Sequence, residues 1–228
     1  MRNTLTLLLF CIFALGACCN KTQLKVDRIT ETEQEEHWDV RMSYSVFSSE
    51  TKAVEEKCLL FNDELKGLAH CAKAAFLEQA DKRIKQLDST RIENSAPYVF
   101  IIADTVFLAN EKYISLLVHQ YQMLGGANGQ LDFYGLNFDI EANKFLEKAD
   151  IFHSEKSADI NALLEKYLQD PEGCYTFEKP TLENCTAVNF TDKSVEFTYT
   201  KYILGPGACG PVTISVPKDL LKAYMKLK

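Results

Sequence analysis

The chain has 228 residues, of which 46% are apolar and 25% are charged, and this composition excludes a collagen-like, coiled-coil or wholly disordered protein. This length allows one large domain or two small ones with a buried core. Asp and Glu outnumber Lys and Arg by 32 to 25, and because a net charge of −7 repels phosphate backbones, we expect no nucleic-acid partner.

The chain begins with a segment that is typical of a secretory signal. Arg2 supplies a positive charge, residues 5–15 are almost all apolar, and small residues follow. The apolar run is shorter than the roughly 20 residues that a membrane-spanning helix needs. Leu15-Gly16-Ala17-Cys18 resembles a bacterial lipobox, although an ordinary signal cleaved just before the cysteine is the alternative. We predict a signal peptide over residues 1–17 and a protein that is anchored to the membrane by lipid on Cys18.

The next segment is predicted to change from tether to fold. Residues 18–37 are polar and rich in glutamate, which favours a flexible tether. Structure is predicted to begin near Trp38, because apolar and polar residues alternate over 40–46 as in a half-buried strand. Residues 51–87 contain no proline and many strong helix formers, which predicts a long helix. Gly67 is a candidate break that would divide it into two helices.

The rest of the chain predicts more strands than helices. The predicted strands are 98–108, 112–121, 131–140, 187–190, 195–202 and 212–216. Ser157 is a candidate cap for a helix that ends near Leu168, and Pro217 suits the first turn of a closing helix.

The order of these elements predicts the fold class. Strands and helices do not alternate regularly, which indicates an α+β fold. We expect a largely antiparallel sheet that packs against a long N-terminal helix and shorter C-terminal helices. We assign residues 38–228 to this domain, with an N-terminal part over 38–95 and a C-terminal part over 96–228.

Six cysteines remain after the signal peptide and the lipid site: Cys19, Cys58, Cys71, Cys174, Cys185 and Cys209. An exported protein can form disulfides, and six cysteines allow 15 pairings. Cys58 and Cys71 lie on the predicted long helix about 20 Å apart, which is too far for a bond. We predict a disulfide between Cys174 and Cys185, which share the turn-rich stretch 173–186. Buried core thiols are the alternative for the unpaired cysteines.

No motif in the sequence predicts an enzyme. The histidines are not spaced as metal ligands, and no Gly-x-Ser-x-Gly elbow is present. His119 falls within a predicted strand, where a structural role is favoured over a catalytic one. The glycine-rich stretch 125–129 lacks the Lys-Ser/Thr pair of a phosphate-binding loop. We therefore expect no catalytic residue, no metal and no cofactor.

Two parts of the chain resemble a known family. The first runs over Tyr121–Gly129, Leu136–Ile140 and Ala149–Phe152, and the second over Phe197–Gly210 and Val212–Pro217. They are similar to the uncharacterised domain that forms the outer part of RsiV-like anti-sigma factors. The same domain occurs beside PdaC-like peptidoglycan deacetylases and in many bacterial lipoproteins.

This resemblance extends over about residues 38–226 and implies an α+β fold outside the cytoplasm. In the RsiV-like members this region recognises lysozyme, a basic protein, which agrees in sign with the acidic balance here. Members often carry a histidine after Gly-Gly-Ala, where this chain has Asn128, so no role of that histidine is transferred. The chain shows neither a membrane-spanning helix nor a sigma-binding segment, so we do not expect it to signal across a membrane alone.

We predict a non-enzymatic lipoprotein on the extracytoplasmic side of the cell envelope, which is the periplasm or outer membrane in a Gram-negative cell. Its predicted partner is a basic protein such as lysozyme, or cell-wall glycan. The alternative is an accessory domain or enzyme that acts on peptidoglycan glycan, such as a deacetylase or hydrolase.

Two glycine-rich loops, 125–129 and 205–210, are the predicted binding site, because loops carry recognition more often than the strands that support them. We expect them to lie together on one exposed edge of the sheet, although turn geometry alone is the alternative explanation of the glycines. The candidate contact residues are Gly125, Gly126, Asn128, Gly129, Gly207 and Ala208.

Overall fold

The structure is a computed structural model that describes residues 23–86, 96–126 and 128–227. The predicted signal peptide, the lipid site at Cys18 and Ala127 lie outside the described residues. Within the described ranges, nine strands and four α-helices form two sheets with helices packed on them. The predicted α+β class is confirmed.

The first sheet has six strands in sequence order. They are β1 Lys25–Glu35, β2 Trp38–Ser48, β3 Tyr98–Ala109, β4 Tyr113–Met123, β5 Gln130–Asp139 and β6 Lys144–Phe145. Every pair is antiparallel except β2 and β3, whose parallel pairing requires a crossover. The predicted division between residues 38–95 and 96–228 therefore falls inside one sheet.

Helix α1, Lys52–Gln86, follows β2 and covers one face of the first sheet. It is unbroken at Gly67, which lies on the exposed side of the helix. There a glycine costs only about 1 kcal/mol of helix propensity. The buried side of α1 carries Phe61, whose ring packs against Phe47 and Phe138 with centroids 5.3 and 5.7 Å away. These aromatic contacts, rather than local propensity, fix the helix on the sheet.

Strand β1 corrects the prediction of a flexible tether over residues 18–37, which is wrong for residues 25–35. β1 pairs with β2 over its whole length, from Lys25 opposite Ser48 to Glu35 opposite Trp38. Nearly all its side chains remain exposed, because it is an edge strand that is held by backbone hydrogen bonds. Such a strand buries too few apolar residues to be recognised by its pattern.

The second sheet lies on the opposite face of the first sheet from α1. Its strands are β7 Ala187–Phe190, β8 Ser194–Tyr199 and β9 Val212–Pro217. Side chains alternate along β4, so Ile114 and Leu116 face α1 while Tyr113 and Leu117 face the second sheet. Helices α2 Lys148–Ile151, α3 Ser157–Tyr167 and α4 Lys218–Leu221 complete this second core.

A buried polar cluster joins the two sheets. Ser115 Oγ donates to Asn137 Oδ1 at 2.6 Å, and Asn137 Nδ2 donates to the carbonyl oxygen of Val188 at 2.7 Å. Asn189 Nδ2 donates to Ser115 Oγ at 3.2 Å and to the Leu116 carbonyl at 2.7 Å. Buried polar groups of this kind fix one relative position of two sheets, because any shift leaves them unpaired.

Candidate functional site

The predicted loop at 125–129 connects β4 to β5. Gly125 and Gly126 have φ angles of 86° and 91°, values that residues other than glycine rarely adopt. Gly129 lies directly under the ring of Tyr121, where a Cβ would collide with the aromatic carbons. The turn geometry that we gave as the alternative explanation therefore accounts for Gly125 and Gly126, and the contact with the Tyr121 ring accounts for Gly129. Asn128 is exposed between them and is free of this constraint.

The second predicted loop, at 205–210, follows β8. A Cβ on Gly205 would collide with the carbonyl of Cys174, and one on Gly207 would collide with the ring of Tyr202. Gly207–Cys209 forms a single 3-10 turn, and Gly210 leaves it with φ 73°. Ala208 is exposed at the tip of this turn.

The segment before the second loop brings the two loops together. Lys201 Nζ donates to the carbonyl oxygen of Gly129 at 3.2 Å. An open groove of about 350 Å³ lies at this contact, and its lining residues are Asn128, Gly129, Gln130, Leu131, Asp132, Thr200, Lys201 and Tyr202. Because the Tyr202 ring also covers Gly207, it lies between the groove and the second loop. We call this surface the Tyr202 groove.

Tyr202 is the most exposed large apolar residue of the described chain, with 65% of its surface accessible. Its φ of 72° is a left-handed conformation that a tyrosine adopts at a cost of roughly 1 kcal/mol or more. Such conformations persist where the surrounding structure imposes them, and they cluster at binding and catalytic sites. The exposed ring, the Asn128 and Gln130 amides, the Asp132 carboxylate and the Lys201 ammonium together can bind an amphipathic ligand.

The disulfide differs from the prediction. Cys174 is bonded to Cys209, with Cα atoms 5.9 Å apart, and the predicted Cys174–Cys185 bond is wrong. Cys185 faces the second core, where its thiol donates to the Ala187 carbonyl at 2.9 Å. The chain reverses at Thr181–Asn184 before it enters β7, and this turn directs Cys185 inward. Closeness in sequence therefore does not bring Cys174 and Cys185 together.

The disulfide places an acidic loop, residues 170–184, beside the 205–210 loop. The Phe177 amide donates to the Leu204 carbonyl at 2.9 Å, which holds the two loops side by side. The acidic loop has four acidic residues and one basic residue, so its net charge is −3 (1 − 4 = −3). Phe177 is 57% exposed on it. The Tyr202 groove is thus accompanied by an acidic surface that carries a second exposed aromatic ring.

Part of this site lies in a segment that is similar to a recognised family. Residues 149–219 match the family model described as "Protein of unknown function (DUF3298)". The DUF3298 segment contains both disulfide cysteines, the acidic loop and Tyr202, whereas Asn128 and the rest of the β4–β5 connection lie outside it. No curated protein matches the chain.

Two solved structures have a similar fold. A member of the DUF3298 family from Bacteroides fragilis superposes with a TM-score of 0.62 at 15% identity, over 91% of this chain and 96% of that one. A DUF3298 family protein from Pseudomonas aeruginosa gives a TM-score of 0.58 at 15% identity, over 90% and 96%. Identities this low establish a shared fold and no shared function.

The two buried thiols, Cys58 and Cys185, do not have the surroundings of a reactive cysteine. Burial raises the pKa of Cys58 to about 11 and that of Cys185 to about 12, so both thiols are protonated at neutral pH. Within residues 23–86, 96–126 and 128–227, no group of three or more His, Cys, Asp or Glu side chains could hold a metal ion. No helix of the same ranges is long and apolar enough to cross a membrane.

His119 predicts a pH dependence of stability. Burial lowers its pKa below the usual 6.5, against a smaller opposite effect of Asp104. Below about pH 6.5 the unfolded chain therefore binds more protons at His119 than the folded chain does. The stability that neutral His119 contributes is present above this pH and is lost as the pH falls. We expect wild type to lose more stability than His119→Gln between pH 7.5 and 5.5 in urea denaturation. Equal losses in both proteins would contradict this assignment.

The sequence missed the side chains that line the groove from β5 and from the end of β8. Lys201 and Tyr202 were predicted as the end of a strand, but the structure ends β8 at Tyr199 and places both residues in a turn. Gln130 and Asp132 lie on β5 with no distinguishing pattern. The one sequence feature that could have indicated Tyr202 is its position just before the glycine-rich loop 205–210. In the structure its ring covers Gly207 of that loop.

Proposed function

We propose that this protein is a non-enzymatic, lipid-anchored protein of the cell envelope that binds a basic partner protein through the Tyr202 groove. The observation that carries the proposal is the convergence of two loops on an exposed tyrosine beside an acidic loop. Interface hot spots are enriched in tyrosine, and opposite charge steers a basic partner to an acidic surface. The disulfide suits an oxidising compartment outside the cytoplasm.

Lysozyme is the basic protein that we propose as the partner. The resemblance to the outer domain of RsiV-like anti-sigma factors suggests it, and the acidic loop with a net charge of −3 supports it. Because the attraction is partly between exposed charges, we expect the affinity to fall as salt increases.

The test compares two groove variants with a matched control by calorimetric titration with lysozyme. We expect Tyr202→Ala and Asn128→Trp to weaken binding at least about tenfold, because each changes the centre of the proposed interface. Leu60→Ala is the control: Leu60 is 51% exposed on α1, on the opposite side of the first sheet. All three variants should keep the wild-type melting temperature within a few degrees, because surface substitutions change stability by about 0.5 kcal/mol or less.

Ala208→Trp tests the other loop in the same assay. It should also weaken lysozyme binding, since Ala208 is exposed on the turn that Tyr202 covers. Full affinity in the Tyr202, Asn128 and Ala208 variants would exclude the groove as the site. Full affinity for another basic protein, cytochrome c, would show that charge alone causes the binding.

A second candidate function is favoured by the chemistry of the groove itself. A tyrosine ring beside amide and carboxylate side chains is also suited to a sugar, whose CH groups stack on the ring while its hydroxyls bind the polar atoms. In this case the protein acts on or with peptidoglycan glycan. Titration with purified muropeptides, and assays for released sugar or acetate, distinguish this function from lysozyme binding.

Lipidation at Cys18 is the part of the proposal that a mass measurement decides. We expect the mature N-terminus to be Cys18 carrying acyl chains. Two chains suffice for stable anchoring, because each buried CH₂ contributes about 0.8 kcal/mol. Cys18→Ser should release the protein from the membrane fraction, whereas Cys19→Ser should not. An unmodified Cys18 in intact-protein mass spectra would contradict the prediction.

A further inference from the structure

The fold begins much closer to the proposed lipid site than the sequence predicts. Leu24 is buried, its amide donates to the Ala109 carbonyl at 3.3 Å, and Gln23 forms a bridge with Asn110. Five peptide links separate Cys18 from Gln23 (23 − 18 = 5). Whatever conformation they adopt, they span at most about 18 Å. The predicted tether from Cys18 to His37 would have reached about 65 Å.

This attachment point lies at one end of the first sheet. We call this end of the first sheet the Asn110 end. It contains Gln23, Lys25, the segment Ser48–Thr51 and the β3–β4 turn at Asn110–Lys112. The β4–β5 connection, with Asn128, lies at the other end, because β4 runs the length of the sheet between them. Eleven residues of β4 separate the two ends by about 35 Å.

We infer that the Asn110 end faces the bilayer and that the Tyr202 groove is held at the membrane-distal end. This inference rests on the proposed acylation of Cys18. The bilayer excludes every orientation in which the far end would lie below its surface. A body that is tethered by one end on a short linker therefore keeps its other end farther from the membrane on average.

The surface of the Asn110 end fits hydrated lipid headgroups rather than the hydrocarbon core. Its exposed residues are polar: Gln23, Lys25, Glu50, Thr51 and Lys112. Lysine and glutamate both occur there, so no single sign of charge dominates. This end can thus rest at the headgroup layer without inserting. The groove then lies up to about 50 Å from the lipid anchor, the sum of the linker and the sheet, where a soluble partner can reach it.

The test measures the height of each end above a bilayer. The acylated protein is reconstituted in phosphatidylethanolamine–phosphatidylglycerol vesicles that contain a headgroup-linked energy acceptor. A fluorescent amino acid is placed by amber suppression at Glu111 or at Asn128. We expect at least about twofold higher energy transfer from position 111 than from position 128, given a linker of about 18 Å and a sheet of about 35 Å. Equal transfer from both positions would overturn the inference.

A longer linker is the matched control. Fourteen Gly-Ser residues inserted after Asn20 give a tether of about the predicted length. A flexible linker of about 19 residues averages roughly 24 Å end to end, so we expect the difference in energy transfer between positions 111 and 128 to shrink. An unchanged difference would support the orientation but overturn the short linker as its cause, because surface contacts would then set it.

A second arm separates this inference from the proposed lipidation. Residues 18–228 with Cys19→Ser and Cys71→Ser are coupled through the Cys18 thiol to maleimide-headgroup lipid, while Cys58 and Cys185 remain buried. The expected difference in this arm supports the membrane-facing assignment of the Asn110 end. An unmodified Cys18 in the cell-derived protein would overturn the lipidation alone, and equal transfer in the coupled protein would overturn the orientation alone.

Discussion

Removal of the Cys174–Cys209 disulfide is expected to lower the free energy of unfolding by about 4 kcal/mol, as the chain-entropy model gives for a loop of this length. The bond joins residues that are 35 positions apart, so it restricts a long stretch of the unfolded chain. We expect Cys174→Ala with Cys209→Ala to show this loss in urea denaturation, with a steeper dependence on urea concentration because the unfolded chain without the cross-link exposes more surface.

The matched control is Cys185→Ala, which removes a buried thiol but no disulfide. It should cost about 1–2 kcal/mol, for a small cavity and one lost hydrogen bond. A peptide map without reductant should contain a cross-linked peptide with Cys174 and Cys209. A cross-link from Cys174 to Cys185, or a double variant as stable as wild type, would contradict the assignment.

The same double variant links stability to the proposed function. Without the bond, the acidic loop is held beside the 205–210 loop by weaker contacts such as the Phe177–Leu204 hydrogen bond. We expect lysozyme affinity to fall in the folded double variant, because binding must then also order the released loop. Unchanged affinity would place the contact surface on the Tyr202 groove alone.

The sequence predicts best the elements whose side chains are buried on one face. The alternation at the start of β2, where Val40 and Met42 are buried and Arg41 is exposed, and the helical pattern of residues 51–87 follow directly from which residues contact the core. Strand β1 buries almost none of its side chains and is held by backbone hydrogen bonds to β2. Such pairing produces no pattern of apolar residues in the sequence. The same reason explains why the tether was predicted too long.

Sequence patterns single out the glycines of the two loops but not most of the side chains that line the groove between them. Backbone geometry demands glycine at Gly125 and Gly126, so these positions are visible in a sequence. Lys201 contacts a residue 72 positions away through its hydrogen bond to the Gly129 carbonyl, and no local pattern in the sequence marks such a contact. The partner of Cys174 was missed for a similar reason, because 15 pairings were open and only the tertiary fold selects one.

Asn137→Leu is expected to cost about 3 kcal/mol of stability, because it breaks two satisfied hydrogen bonds between the sheets. The Asn137 side chain accepts from Ser115 Oγ and donates to the Val188 carbonyl, so its removal leaves two groups without this partner. The residue is only 4% exposed, and Val188 likewise, so water cannot easily replace the lost partner. Urea denaturation of the variant at pH 7 measures the loss.

Asn189→Leu is the control that makes this prediction specific. Asn189 is fully buried in the same cluster, but its Oδ1 has no hydrogen-bond partner among the described residues. Replacing it removes two donated bonds and also relieves one unpaired oxygen, so the net loss should be nearer about 1 kcal/mol. A Ser115→Ala and Asn137→Leu double variant should be less stable than Asn137→Leu alone, because Ser115 Oγ also accepts hydrogen bonds from Asn189 Nδ2 and from the Phe190 amide, and alanine removes this acceptor from both donors. If Asn189→Leu cost as much as Asn137→Leu, the buried volume rather than the hydrogen bonds would hold the two sheets together.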